Sequence, residues 1–93
     1  DGRKETPLMS AATGSMRDNV RILLEAGADP NIRDARSLTP LMHAFQALRP
    51  DMEIARMLIR KGARQSDTNA AGLTARDYAE TFEDASLLAV FEK

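Results

Sequence analysis

The sequence predicts an all-α repeat fold, in which antiparallel helix pairs stack into a solenoid and are joined by β-turn or hairpin loops. Three observations predict it. Thr6-Pro7-Leu8-Met9-Ser10-Ala11-Ala12 returns 33 positions later as Thr39-Pro40-Leu41-Met42-His43-Ala44-Phe45, and weakened, 35 positions after that, as Thr74-Ala75-Arg76-Asp77-Tyr78-Ala79. A second phrase, Leu23-Leu24-Glu25-Ala26-Gly27-Ala28-Asp29, returns in step as Leu58-Ile59-Arg60-Lys61-Gly62-Ala63-Arg64. Gly27 and Gly62 stand 12 residues before Thr39 and Thr74, the Thr that opens the following unit's phrase, so the two extra residues of the second unit fall earlier. They lie between Gln46 and Glu53, in the stretch that holds Arg49-Pro50-Asp51.

Each element follows from its residues. Thr6 and Thr39 are good N-caps, because the hydroxyl accepts from an orphan backbone N–H. The Pro that follows sits where its missing N–H costs nothing. A short inner helix is therefore expected to begin at each of these residues. The outer helix of the first unit is amphipathic: Val20, Leu23 and Leu24 form its apolar stripe, and Arg17, Arg21 and Glu25 cover the other side. Gly27 and Gly62 stand where a left-handed residue stops a helix, and Arg60 and Lys61 precede that stop, where cations favour the helix dipole. Ala28-Asp29-Pro30-Asn31 and Asn69-Ala70-Ala71-Gly72 are turn chemistry. Helices this short are marginal alone, so each pair must bury its stripe against the next pair.

Composition narrows the function classes. In 93 residues, 43% are hydrophobic and 29% charged, which excludes collagen-like and wholly disordered chains. Thirteen basic and fourteen acidic residues leave a formal charge of −1, so nothing draws the chain to nucleic acid or an anionic membrane. With no cysteine there is no disulfide framework, thiolate zinc site or cysteine nucleophile, and an intracellular, cytoplasmic setting is expected. No apolar run approaches the roughly 20 residues that span a bilayer.

These two phrases resemble the ankyrin repeat. That family's unit is a turn, an inner helix opened by Thr-Pro-Leu-His, and an outer helix ending in Leu-Leu-x-x-Gly-Ala-Asp-x-Asn. Asp1 through Asn31 matches it without a gap, the second unit from Asp34 matches with its insertion, and the third from Asn69 keeps Gly72, Thr74 and Ala79. The likeness implies one ankyrin domain over residues 1–93, with repeats at 1–33, 34–68 and 69–93, the last resembling a C-terminal cap. Three departures stand out. The family's inner-helix His is Met9, Met42 and Asp77 here, the turn Gly is Lys4 and Ser37, and the Gly between helices is Ser15, so weaker ties between units are expected. Unit three, with Arg76 and Asp77 and then Glu80, Glu83 and Asp84, reads as an end that meets water. Unit one begins like an interior repeat. The expectation is that further ankyrin repeats or another chain cover its N-terminal face.

The resemblance implies a non-catalytic module that binds a protein or peptide through the concave face of turn tips and inner helices. The alternative is a regulatory or targeting segment of a larger enzyme, channel or transcription factor. Carried over by position, partner contacts are expected at Arg3, Glu5, Arg33, Arg36 and Leu38 in the turns, and at His43, Gln46, Tyr78 and Phe82 on the inner helices. Arg33, Arg36, Tyr78 and Phe82 are the expected energetic centres, since Arg and aromatics dominate binding energy. Asn31 occupies the position that asparaginyl hydroxylase modifies in some family members.

Other chemistry finds less support. His43, the one histidine, reads as a surface or interface residue rather than a catalytic or metal-binding one. Asp51/Glu53 and Glu83/Asp84 suit helix N-termini better than acid–base work. The glycines are isolated repeat punctuation, and no serine sits in a nucleophile elbow. Arg56, Arg60, Lys61 and Arg64 form a basic run that reads as a solvated helix face, and Met9, Met42 and Met57 as packing residues. No catalytic residue, cofactor or metal is expected, and no nucleic-acid or membrane partner.

Overall fold

The computed structural model describes residues 2, 4–82 and 84–91, so Arg3 and Glu83 lie outside the described residues. Among the described residues, six short α-helices run α1 (Pro7–Thr13), α2 (Arg17–Glu25), α3 (Pro40–Ala44), α4 (Met52–Arg60), α5 (Ala75–Glu80) and α6 (Ala85–Leu88), followed by a 3-10 turn at Ala89–Phe91. Inner helices α1, α3 and α5 stack in one layer. Outer helices α2 and α4 stack in a second, each packed on the inner helix that precedes it.

Thr6, Thr39 and Thr74 cap the three inner helices, as their residue type requires. Each hydroxyl accepts from the backbone N–H three residues on, at 3.2 Å, 3.3 Å and 3.3 Å. The returning half of each capping box is unusual in two units. Where a Glu or Gln commonly reaches back, the thioethers of Met9 and Met42 accept from the Thr6 and Thr39 N–H at 3.4 Å and 3.5 Å. Asp77 does the same for Thr74 with a carboxylate, at 2.8 Å. Met9 and Met42 are buried, so one side chain both fills the joint between helices and closes a helix end.

The outer helices stop at glycine. Gly27 and Gly62 take φ of 96° and 97°, and the following Ala28 and Ala63 N–H groups bond back to Leu23 and Leu58 carbonyls at 3.0 Å and 2.9 Å. Three further left-handed positions carry side chains: Lys4 at 59°, Ser15 at 55° and Ser37 at 66°. These are the places where the ankyrin pattern has glycine, and the backbone keeps the glycine conformation without it. The connection between helices is short in the first unit, residues 14–16, and long in the second, residues 45–51. There α3 stops after five residues and Phe45 takes over as its cap.

Small side chains let the inner helices approach closely. Ala11, Ala12, Ala44, Ala75 and Ala79 are all buried, and Leu8, Leu41, Ile54 and Leu58 fill the space between layers. Phe91 closes the far end of this core on Phe45, with ring centroids 5.6 Å apart.

Candidate partner-binding face

The face built from turns and inner helices repeats one local device. An Asx residue opens the turn, takes two backbone N–H groups on Oδ1, and reaches with its other side-chain atom to the residue nine positions on. In the second unit Asp34 Oδ1 accepts from Arg36 and Leu38 N–H, both at 2.9 Å, and Oδ2 meets His43 Nε2 at 2.9 Å. In the third, Asn69 Oδ1 accepts from Ala71 and Leu73 N–H at 2.8 Å and 3.0 Å, and Nδ2 donates to the Tyr78 hydroxyl. The turns themselves are closed by Ser37 N–H to Asp34 O at 2.9 Å and Gly72 N–H to Asn69 O at 3.0 Å. Neighbouring tips are tied, with the Ala70 N–H donating to Arg36 O at 3.2 Å.

Two expected contact residues are withdrawn by this arrangement. His43 is 3% exposed and Leu38 is 2% exposed, so neither offers its side chain to a partner. The reason is tertiary. His43 faces α1, where its Nδ1 meets Thr13 Oγ1 at 3.1 Å, and the Thr13 hydroxyl also reaches His43 O at 3.4 Å. The resulting chain, Thr13–His43–Asp34, joins the first unit to the second. It is complete in either state of the ring. A neutral ring donates from Nε2 to Asp34 and accepts from Thr13, while a charged ring donates from both nitrogens and the hydroxyl turns to His43 O. Burial works to raise the Asp34 carboxyl, but the Leu38 N–H, His43 and the Arg36 N–H outweigh it and hold the group below its ordinary 3.8.

The remaining predicted residues divide. Glu5, Arg36 and Gln46 are exposed, and no hydrogen bond or ion pair engages the Arg36 guanidinium among the described residues. Phe82 is 36% exposed at the end of α5, and Tyr78 is half-buried with its hydroxyl held by Asn69. Arg33 is exposed but engaged, with Nη2 3.3 Å from Asp67 and Nη1 donating to Thr68 O at 3.4 Å. Arg3 lies outside the described residues. Leu73, the counterpart of buried Leu38, is 42% exposed and belongs with the exposed set.

Asn31 spans a joint between units. Its Nδ2 donates to Gly62 O at 3.0 Å and its Oδ1 accepts from the Arg64 N–H at 2.8 Å. Two more links cross the same boundary on the far edge. Arg17 grips Asp51 with two bonds, at 2.9 Å and 3.0 Å, and Ser15 Oγ donates to Arg49 O at 3.2 Å. The Arg17 guanidinium holds the Asp51 carboxyl below its usual range. Inter-unit polar ties expected to be weak without the family's histidine are thus carried by other residues.

The basic run resolves into local pairs: Arg60 and Arg56 both face Glu53, at 2.6 Å and 3.7 Å, and Arg64 faces Asp67 at 3.6 Å. Among the described residues no three His, Cys, Asp or Glu side chains gather as for a metal, and no helix is long and apolar enough to cross a membrane. Sequence reading missed Asp34 as the partner of His43. The signal was there in the equal spacing of Asp34–His43 and Asn69–Tyr78.

Comparison with known proteins agrees with this geometry. The family described as ankyrin repeats (many copies) matches residues 1–44. A putative ankyrin repeat-containing protein of Treponema pallidum (strain Nichols) is 39% identical over 94% of this chain. The fem-1 homolog C protein of Xenopus laevis is 42% identical over 72%, and an ADP-ribosylation factor GTPase-activating protein of Arabidopsis thaliana, AGD4, is 38% identical over 64%. The chain spans only 28%, 10% and 8% of these relatives' own lengths. Among solved structures, the ankyrin repeat protein EF0377 superposes with a TM-score of 0.89 over 98% of this chain and 48% of that one, at 27% identity.

Proposed function

Because this chain belongs to the ankyrin-repeat family, we propose that it is a non-catalytic module that binds a partner protein or peptide along the face of turn tips and inner helices. Ankyrin repeats generally serve as protein–protein interaction modules, and this chain offers the same kind of surface. The supporting observation is a row of exposed side chains on a rigid base. Glu5, Arg36 and Leu73 project from successive turns, and Gln46 and Phe82 are exposed at the ends of α3 and α5. The turns beneath Arg36 and Leu73 are fixed by Asx side chains, so little ordering entropy is lost when a partner docks. Arg36 is the charged anchor of this set and Phe82 its aromatic one. Arg33 contributes less, since binding through it would first break its pairing with Asp67.

Photo-crosslinking tests the placement. A photoreactive residue at position 36 or 46 is expected to capture the partner, whereas one at Arg56 on the outer layer is not. Arg36→Glu combined with Gln46→Ala is expected to weaken an identified complex at least about tenfold with helicity unchanged. Unaltered affinity refutes the placement.

The small share of each relative that this chain covers favours a second reading, in which the module regulates or targets a larger protein whose chemistry lies in other domains. Deleting the module from such a protein would then redirect or deregulate it without abolishing its chemistry. Hydroxylation of Asn31 would require its two bonds across the joint to open, and intact-mass analysis of native material reads it directly.

A further inference from the structure

The row of turns carries its charge unevenly. Among the described residues, positions 4–5, 33–38 and 68–73 hold three exposed cations, Lys4, Arg33 and Arg36, and one exposed carboxylate, Glu5. The second turn has an acid of its own, but the Asp34 carboxylate is 2% exposed and spent on two N–H groups and His43. Asp67, beside the tips, does not make up the difference. It faces two guanidinium groups at once, Arg33 Nη2 at 3.3 Å and Arg64 Nε at 3.6 Å, both longer than the roughly 2.7–2.9 Å of a charge-assisted bond. Its buried Oδ2 has no hydrogen-bond partner among the described residues. The side chains of Lys4 and Arg36 have no hydrogen bond or ion pair among the described residues either. The third turn differs: Thr68, Ala70, Ala71 and Leu73 are exposed and uncharged, and Phe82 is exposed at the end of α5. The exposed charges of α5, Arg76 and Glu80, stand at the counterparts of buried Leu41 and Phe45 and so belong to the end of the stack rather than to this face.

Building on the binding face proposed above, we infer that the partner segment it takes is acidic where it crosses the first two units and apolar where it crosses the third. Charge complementarity selects this occupant. A basic segment would be repelled by Lys4 and Arg36, whereas an acidic one gives both cations the partners they lack. Arg33 stays on Asp67 and adds to the field, because that carboxylate is shared with Arg64. The whole chain carries −1, so the attraction is local to this face. The molecule is 33 Å in its longest dimension, and an extended segment of roughly ten residues is long enough to cross all three units.

NMR titration with synthetic decapeptides tests this. One peptide holds four glutamates, two glycines and then Leu-Phe-Leu-Phe; a second replaces the glutamates by lysines; each is made in both chain directions. In about 50 mM salt the glutamate peptide, in one direction, is expected to bind at least roughly tenfold tighter than the lysine peptide and to weaken as salt rises. It should shift the amide signals of Lys4, Arg36 and Leu73. Lys4→Glu with Arg36→Glu should invert the preference, and Arg56→Glu, exposed on α4, should leave it unchanged. Equal affinity for the two peptides at these residues, or a preference indifferent to Lys4→Glu with Arg36→Glu, overturns the acidic assignment and leaves the binding face in place. Absence of binding by either peptide also overturns it, while crosslinking from position 36 still tests the face by itself. Shifts confined to α2 and α4 overturn the face and the assignment together. A mixed-sequence single-stranded DNA that displaces the glutamate peptide from Arg36 would give these cations to phosphate and overturn the assignment as well.

Discussion

Replacing Asp34 separates what its side chain does for the turn from what its charge does for the joint. The carboxylate is 2% exposed and makes three short bonds: to the Arg36 N–H, the Leu38 N–H and the His43 ring, each at 2.9 Å. Asp34→Ala deletes all three and leaves the Leu38 N–H and the imidazole without their acceptor. At about 1 kcal/mol net per bond, the expected loss is about 3 kcal/mol. For a domain of this size that lowers the melting temperature by about 12–24 °C. Asp34→Asn keeps Oδ1 for both backbone groups and turns Nδ2 toward His43. The ring then takes its other tautomer, with Nδ1–H donating to Thr13 and the hydroxyl donating to His43 O, 3.4 Å away. Its expected cost is only about 1 kcal/mol. The pH dependence gives an independent check. Asp34 is depressed in the folded state, so its contribution is fully present above its ordinary 3.8 and is lost as pH falls through the lower folded value. Asp34→Asn removes that acid-labile part. Urea denaturation at neutral pH and again near pH 3 measures both effects. If Asp34→Asn and Asp34→Ala are equally damaging, or if Asp34→Ala costs under about 1 kcal/mol, the account of the joint is wrong.

Further outcomes follow from the backbone and the ties between units. Ser37→Gly is expected to stabilise by about 1 kcal/mol, since Ser37 holds φ of 66° where a Cβ is unfavourable; a fall in melting temperature would contradict this. Gly62→Ala should destabilise by about 1–2 kcal/mol through conformation alone, because a Cβ there meets nothing within 4 Å and φ is 97°; an unchanged melt would show that the stop tolerates other geometries. Asn31→Ala removes the bonds to Gly62 O and the Arg64 N–H. It should cost about 1–2 kcal/mol and speed amide exchange at Arg64, which NMR reads residue by residue.

The helices were legible because their starts and stops are chemical. Thr6, Thr39 and Thr74 cap, and Gly27 and Gly62 stop, whatever the rest of the chain does. The polar joints were not legible, because a periodic pattern tells which side of a helix is apolar but not which side the neighbouring unit will cover. His43 stands on the side that α1 covers, one position from where the family keeps its histidine, so its pattern alone reads as a surface or interface residue open to a partner. Leu38 was misplaced for a related reason. Its turn position suggests exposure, but the Asp34 side chain folds the turn so that the Leu38 N–H and side chain both go inward. The left-handed residues Lys4, Ser15 and Ser37 show the reverse case, where a local preference for glycine was overridden by surroundings that fix the turn.

The Asx device also sorts the face chemically. In the second unit its partner at the ninth position, His43, is drawn fully inward and spent on the joint with Thr13. In the third unit the partner, Tyr78, is held by the Asn69 amide and stays half-buried, and Leu73, in the turn before it, is exposed where Leu38 was not. On the proposed reading of this face, the ninth position trades cohesion against recognition. A ring that bridges to the preceding unit stabilises the stack but leaves the partner only the turn tip above it, here Arg36. A ring that stops short of that bridge keeps an edge for contact. Binding energy on this chain should accordingly lie toward the third unit, on Leu73, Tyr78 and Phe82, with Arg36 as the charged contact at its border.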